Sequence, residues 1–527
     1  MTKSVESTGQ AEMSPPVEIA HGRVRGRREG GLFVFRGIPY GADTGGDNRF
    51  RPPQPPARWT GVRDASRFGP IAVQRRPPGG DNPLGSPGMG MGEDCLVLNL
   101  WTPDLSGRRP VMVWLHGGGY TVGNGASPLY DGAGLARRGD VVVVTLNHRL
   151  GLLGHLFLED HLDESFAGSG NAGTLDLIAA LRWVRDNIAA FGGDPEAVTA
   201  FGESGGGGKL SCLLASPRSR GLFHRAIVQS GPPFQIPDRE TAGKVTAKVL
   251  DTLDLGSQPA RTLRELPVDK LLSVQIALGA GGGPSPGGMS FAPVVDGEFL
   301  LAHPEQALSE GAASEVPLLV GTNRDEARFM AMMNPRLRRD PPELSDDELI
   351  ERVEPGCERG AADLVARYRA FRPELSNFDL LLEIESEQFR VRSIRLAEAK
   401  VAGATAPVGM YLFDWTCERL KRWGAYHGLE IPFIFDTRTV IPPLREAEGA
   451  EQLVERMVEA WAGFAHAGAL TSPKGVAAWP AYRVEERATM CIGQEWRVEH
   501  DPLGVQRKAW DDIPTGPSTR PWSRVNG

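Results

Sequence analysis

Cysteine is scarce in this chain: five in 527 residues (Cys95, Cys212, Cys357, Cys417 and Cys491), odd in number and without CxxC spacing. That excludes a disulfide framework and offers no zinc-ligand pattern, so buried free thiols are expected, with no metal and no cofactor. No uninterrupted apolar run reaches the ~20 residues that a bilayer-spanning helix needs. The N-terminus, MTKSVESTGQAEMSPPVE, has no apolar segment behind a basic start, so no secretory signal is read there and a cytoplasmic location is expected. A surplus of positive charge is missing too. The net charge is −8, which leaves no footprint for nucleic acid or for an anionic membrane surface. A small, mostly neutral molecule is the easier partner to accommodate, in a monomer or a small homo-oligomer. Internal repeats are also absent.

Organisation follows from the hydropathy pattern. Residues 1–17 read as a disordered tail, and VEIAHGRVRGRR and GLFVFRGIPY after it alternate around turn glycines, as antiparallel strands do. Residues 79–92, GGDNPLGSPGMGMG, are too rich in Gly and Pro for helix or strand. The character then changes. Residues 110–115 (PVMVWL), 141–146 (VVVVTL), 198–201 (VTAF), 226–229 (AIVQ) and 316–320 (VPLLV) are short and almost wholly apolar. Strands apolar on both faces belong in a covered parallel sheet. Residues 175–191 between them have helical spacing and stop at Gly192-Gly193. This βα alternation predicts an α/β fold. Residues 340–400 read as mostly helical, and because a strand returns at 411–415, the block, about 330–405, is expected to cap the sheet within one catalytic domain over 18–512. A loose tail is expected over 513–527.

The chemistry centres on VTAFGESGGGGK, residues 198–209, where Ser204 follows a strand and precedes a run that can start a helix. That is the pattern of a nucleophile elbow, in which flanking glycines permit the strained turn. A second match, Gly283-Pro284-Ser285-Pro286-Gly287, is a decoy: its prolines cannot supply helix amides, and no strand precedes it. A phosphate-loop reading of Gly208-Lys209 fails at Glu203 and Leu210. His116-Gly117-Gly118-Gly119, directly after PVMVWL, supplies the glycine-rich oxyanion loop that acyl transfer needs. A serine also needs a base. Of His224, His303, His427, His466 and His500, His427 in GAYHGLE is glycine-flanked and free to reach a sheet edge. The acid is expected after the 316–320 strand, where either Asp325 or Glu326 could serve.

These residues sit in a longer series: FRGIPY (35–40), RFRPPQP (49–55), EDCLVLNLWTP (93–103), NHRLGLLG (147–154), ALRWVRDNIAAFGGDP (180–195), FGESGG (201–206), FHRAIVQSG (223–231), PVVDGEF (293–299), GTNRDE (321–326) and GAYHGLEIPF (424–433). Over about 18–510 the chain resembles the type B carboxylesterases, the family of bacterial p-nitrobenzyl esterases, mammalian carboxylesterases and cholinesterases. The resemblance implies an α/β-hydrolase fold, a mostly parallel central sheet flanked by helices with helical cap insertions. It also implies hydrolysis of small ester substrates by Ser204, Glu326 and His427, with the backbone amides of Gly118, Gly119 and Gly205 as oxyanion donors. Glu203 and Ser230 resemble supporting positions of the family.

Departures from the family pattern carry expectations of their own. Gly205 stands where an alanine is usual, which keeps the amide and suggests a looser backbone. Ala327 stands where glycine usually follows the acid. Residues 70–92 hold neither the tryptophan that binds quaternary ammonium nor the cysteine that pairs with EDC in cholinesterases, so choline esters are poor candidates and Cys95 is expected to be unpaired. Gly287, Gly288 and Met289 suggest an acyl side open to bulky acids. Two other readings remain compatible with the same residues: an acyltransferase or lactonase using the same acyl-enzyme, and a non-catalytic binding protein on the same fold.

Overall fold

The computed structural model describes residues 12–75, 89–233, 236–279, 291–357 and 359–515. Its backbone is a twelve-stranded sheet. In chain order the strands are β1 (Glu12–Met13), β2 (Arg27–Glu29), β3 (Leu32–Pro39), β4 (Val97–Thr102), β5 (Arg109–Leu115) and β6 (Val142–Leu146). They continue with β7 (Gly193–Glu203), β8 (Arg225–Gln229), β9 (Leu318–Asn323), β10 (Val408–Phe413), β11 (Ala488–Ile492) and β12 (Trp496–His500). Across the sheet the order is β1-β2-β3-β4-β6-β5-β7-β8-β9-β10-β11-β12. Every neighbouring pair from β6 to β11 is parallel, and the pairs outside that stretch are antiparallel. A small second sheet joins Val17–Ile19, Gly22–Arg25 and Val62–Asp64.

The apolar runs are explained by two covered faces. Along β5, Val111, Val113 and Leu115 enter one core while Met112 and Trp114 enter the other. β6 divides the same way, with Val142, Val144 and Leu146 opposite Val143. Because side chains alternate across a strand, a strand buried on both sides must be apolar throughout. On the first face lies helix α1 (Ala172–Asn187), contributing Leu177, Ile178, Leu181 and Val184. A short 3-10 turn follows it, and Gly192 at φ 76° closes the turn in the left-handed region that glycine enters freely. Helix α2 (Gly205–Ala215) packs on the same face through Leu210, Leu213 and Leu214.

The expected helical block contains α3 (Arg328–Met333) and the long α4 (Asn377–Gly403), with shorter helices between them. α4 starts where Ser376 Oγ accepts from the Asp379 N–H, a side-chain cap on an otherwise orphaned donor. Beyond the block, α5 (Ala450–Ala467) lays Leu453, Val454, Met457 and Trp461 on the second face. The strand expected over 316–320 runs instead as β9, because its pairing with β10 extends from Leu318–Val408 to Asn323–Phe413. At the N-terminus, β1 pairs Glu12 with Arg28 and Met13 with Arg27, inside the stretch expected to be a tail. No described helix is long and apolar enough to cross a membrane. All five cysteines are free, Cys95 included, and Cys417 alone is partly exposed. Ser285 and the open acyl wall expected from Gly287, Gly288 and Met289 lie outside the described residues.

Candidate active site

In-register parallel pairing brings several strand ends to one edge. Gly202 pairs with Leu115 and Glu203 with Gln229, and Gln229 in turn pairs with Gly321. The residues that follow, His116 after β5, Ser204 after β7, Ser230 after β8 and Glu326 after β9, therefore emerge side by side. Ligand sites of open α/β sheets form at this carboxyl edge.

Ser204 alone makes the turn between β7 and α2, at φ 55° and ψ −125°. A side-chain-bearing residue holds such angles only when its surroundings impose them. Here its N–H donates to Gln229 O at 2.8 Å, and its carbonyl accepts from Gly208 N–H at 3.0 Å. The glycines on both sides are jammed: a Cβ on Gly206 would sit 1.9 Å from Leu115 O, and one on Gly202 would sit 2.7 Å from the Gly206 carbonyl carbon. At Gly205 a Cβ would lie 2.0 Å from Gly119 O. The looser backbone expected at Gly205 is therefore corrected: the loop His116–Gly119 fills the space an alanine methyl would take. That loop turns on Gly118 (φ 94°) and Gly119 (φ 63°), and the carbonyl of Gly118 accepts from Val122 N–H at 3.2 Å.

His427 stands between two carboxylates. Its Nδ1 is 2.6 Å from Glu326 Oε2, and its Nε2 is 3.0 Å from Glu203 Oε1. The first contact is a hydrogen bond; the second is a close charge contact without hydrogen-bond alignment, since Glu203 Oε1 has no bonded partner among the described residues. Glu326 is fixed from behind by the Asn323 N–H, which donates to Oε1 at 2.7 Å. Asp325, the alternative acid, turns away: it accepts from Ala425 N–H and faces Arg324 and Arg328. Burial alone would depress the imidazole, but Glu203 and Glu326 outweigh it and push His427 up to about 10. Burial raises Glu203; His427 opposes the rise, and neighbouring Glu430 and Glu326 add to it.

Three of the other candidate histidines engage elsewhere. His224 Nδ1 accepts from Val198 N–H, His466 meets Gly139 O, and His500 meets Glu486 O. Ser230 is buried at φ 47°, and its hydroxyl has no partner among the described residues. No group of three or more metal-ligating side chains gathers among the described residues.

Six side chains escaped sequence reasoning. Glu430, fully buried, accepts from Gln229 Nε2 at 3.1 Å and Asn323 Nδ2 at 2.7 Å. Trp461 Nε1 in turn donates to Gln229 Oε1 at 3.1 Å. The available signal was a lone carboxylate in the apolar run GLEIPF. Phe329 on α3 and Phe389 on α4 flank the imidazole, with ring centroids 6.1 and 5.1 Å from it. Lys209, passed over with the phosphate-loop reading, is wholly buried behind the loop His116–Gly119.

Comparison with known proteins agrees in breadth. Residues 13–510 match the model of the carboxylesterase family. The chain is 36% identical to the para-nitrobenzyl esterase of Bacillus subtilis, covering 93% of this chain and 97% of that protein. It is 34% identical to the phenmedipham hydrolase of Pseudarthrobacter oxydans, covering 90% and 95%. Among solved structures, the carboxylesterase EST55 of Geobacillus stearothermophilus superposes with a TM-score of 0.81 at 37% identity, covering 94% of this chain and 99% of that one.

Proposed function

The chain belongs to the carboxylesterase family and hydrolyses carboxylic ester bonds, and from that premise we propose that the acyl group is carried by Ser204. His427 takes the serine proton through Nε2 as Oγ attacks the ester carbonyl. Glu326 holds the Nδ1–H and steadies the imidazolium that forms. The amides of Gly118, Gly119 and Gly205 receive the oxyanion, donors that act where charge develops. The alcohol leaves with the proton returned by His427. Water activated by the same imidazole then attacks the acyl-enzyme and releases the acid.

The observation that carries this reading is the 2.6 Å contact of His427 Nδ1 with Glu326, beside a serine held at the strained angles of an elbow. In this arrangement Nε2 faces Glu203, so proton transfer begins when the imidazole exchanges that carboxyl for Ser204 Oγ. Phe329 and Phe389 beside the imidazole support small, mostly neutral substrates with an aromatic or bulky group, in line with the para-nitrobenzyl ester named for one relative.

The catalytic unit is one domain over about 18–512, supported by the parallel pairing of β9 with β10 across the helical block that separates them in sequence. Five free thiols support a reducing compartment, the cytoplasm. Intact-mass labelling with a serine-directed phosphonate tests the centre of the reading. One adduct is expected on Ser204, and none in Ser204→Ala, which should also lose ester turnover. An adduct that persists in the variant would overturn it.

A further inference from the structure

Behind the oxyanion loop lies a buried basic cluster that the mechanism above does not use. Lys209, on α2, has no exposed surface, and no carboxylate among the described residues lies within ion-pair distance of its amine. Burial lowers its affinity for a proton, to a pKa of about 7. Its Nζ donates to His116 O at 3.0 Å and meets His148 Nε2 at 3.0 Å. His148 Nδ1 lies 2.8 Å from Arg149 O. A carbonyl can only accept, so Nδ1 carries the proton and Nε2 is an acceptor for the lysine. The same logic applies to His116, whose Nδ1 donates to Gly117 O at 2.9 Å and whose ring stacks on His148 at 4.8 Å and 16°. Burial holds both imidazoles neutral.

The first two carbonyls of the loop are thus gripped from inside the fold, His116 O by Lys209 and Gly117 O by the His116 ring. A trans peptide is planar, so its N–H points opposite to its C=O. Holding Gly117 O inward therefore turns the Gly118 N–H away from the His116 ring, and holding His116 O fixes the Gly117 N–H in the same way. Donation to a carbonyl also strengthens the N–H of the same peptide. The close approach that allows this depends on the glycines before Lys209: a Cβ on Gly206 would lie 3.0 Å from His116 O, and one on Gly208 would lie 2.6 Å from Tyr120 Oη. A buried amine without a counter-charge carries a desolvation cost that an apolar side chain of the same length avoids. Its place is explained by what it holds.

We propose that Lys209 is a positioning residue for ester hydrolysis: by holding the His116 carbonyl and the His148 ring stacked on His116, it fixes the imidazole that grips Gly117 O and so aims the Gly118 amide at the oxyanion. This rests on the assignment of that amide, and of Ser204, made in the preceding subsection.

The test compares wild type with Lys209→Met on a neutral ester and with a trifluoromethyl ketone. That inhibitor adds to the serine oxygen, its carbonyl oxygen becomes an oxyanion, and no group leaves. Lys209→Met should lose about tenfold to a hundredfold in kcat, keep KM within about threefold, and weaken ketone binding by a factor similar to the loss in kcat. Phosphonate should still label Ser204 in the variant. A folded variant with kcat within threefold of wild type overturns the proposal, and so does a KM that rises as far as kcat falls. If Lys209→Met does not melt cooperatively, His148→Phe, which keeps a ring against His116 and deletes the lysine's acceptor, is read by the same ratios. Label on a residue other than Ser204 in the wild type overturns the site assignment itself and this proposal with it, whereas label on Ser204 with unchanged kcat in the variant overturns this proposal alone.

Discussion

Replacing Gly205 by alanine is the sharpest test of how the proposed oxyanion loop is held. The added methyl would meet Gly119 O at 2.0 Å, Gly119 C at 2.5 Å and Gly119 Cα at 2.5 Å. Ordinary contact requires these atoms to separate by about 1 Å or more. The helix cannot supply that movement, because Gly206 abuts Leu115 O and Gly207 abuts the Gly231 Cα, at 1.9 and 2.8 Å from their would-be Cβ atoms. The loop can, since a Cβ built on Gly119 finds nothing within 4 Å. The variant should therefore fold with its loop displaced. A misplacement of about 1 Å at reacting groups costs on the order of a hundredfold in rate, equivalent to about 2.7 kcal/mol. Stability should change little: alanine gains about 0.5–1 kcal/mol over glycine in a helix, which offsets part of the about 1–3 kcal/mol typical of overpacking. Steady-state kinetics on a neutral ester, with phosphonate titration of competent sites and a melting curve, reads all three quantities. A kcat within threefold of wild type would refute the steric argument, because it would mean that the methyl fits without moving the loop.

Glu203→Gln removes a carboxylate that raises His427, so the acid limb of kcat/KM, which needs the neutral imidazole, should move about 1–2 pH units lower; an unmoved limb would show that Glu203 does not tune the base. Glu326→Gln should cost kcat about a thousandfold or more by presenting the wrong partner to Nδ1, with KM nearly constant in the same assay. Asp176→Ala strips the buried Arg149 of its bidentate partner and should destabilise the protein by about 3–5 kcal/mol in urea unfolding. In a native thiol titration only the partly exposed Cys417 should react quickly, and burial, which pushes Cys357 up to about 11, should hold the others back until the chain unfolds.

Much of this arrangement was legible beforehand because it follows from local rules. Strands apolar on both faces announce a covered parallel sheet, and Gly-Glu-Ser-Gly after one of them announces an elbow. What escaped was direction. From the residues alone, both Asp325 and Glu326 stayed open, and it is the fold that shows Glu326 turned to His427 and Asp325 to surface arginines. Glu203 resembled a supporting position beside Ser204, but what it supports was not legible until the sheet register delivered its carboxyl to Nε2. Glu430 and Gln229 meet across 201 residues, a distance that no window of periodicity spans. Lys209 received no role for the same reason: flanking residues say nothing about which carbonyl a buried amine will find.

The glycine run from Gly205 to Gly208 has one more consequence, for the order in which the molecule assembles. Each glycine weakens a helix by about 0.8–1 kcal/mol relative to alanine, so α2, which begins with four of them, has almost no tendency to form by itself. Its first turn exists because Leu115, Gly119 and Gly231 close around it. The elbow must then be among the last parts to settle as β5, β7 and β8 come together, and among the first to be lost when they separate. During refolding, the return of tryptophan burial should precede the return of turnover, and denaturant should abolish activity before it abolishes the sheet.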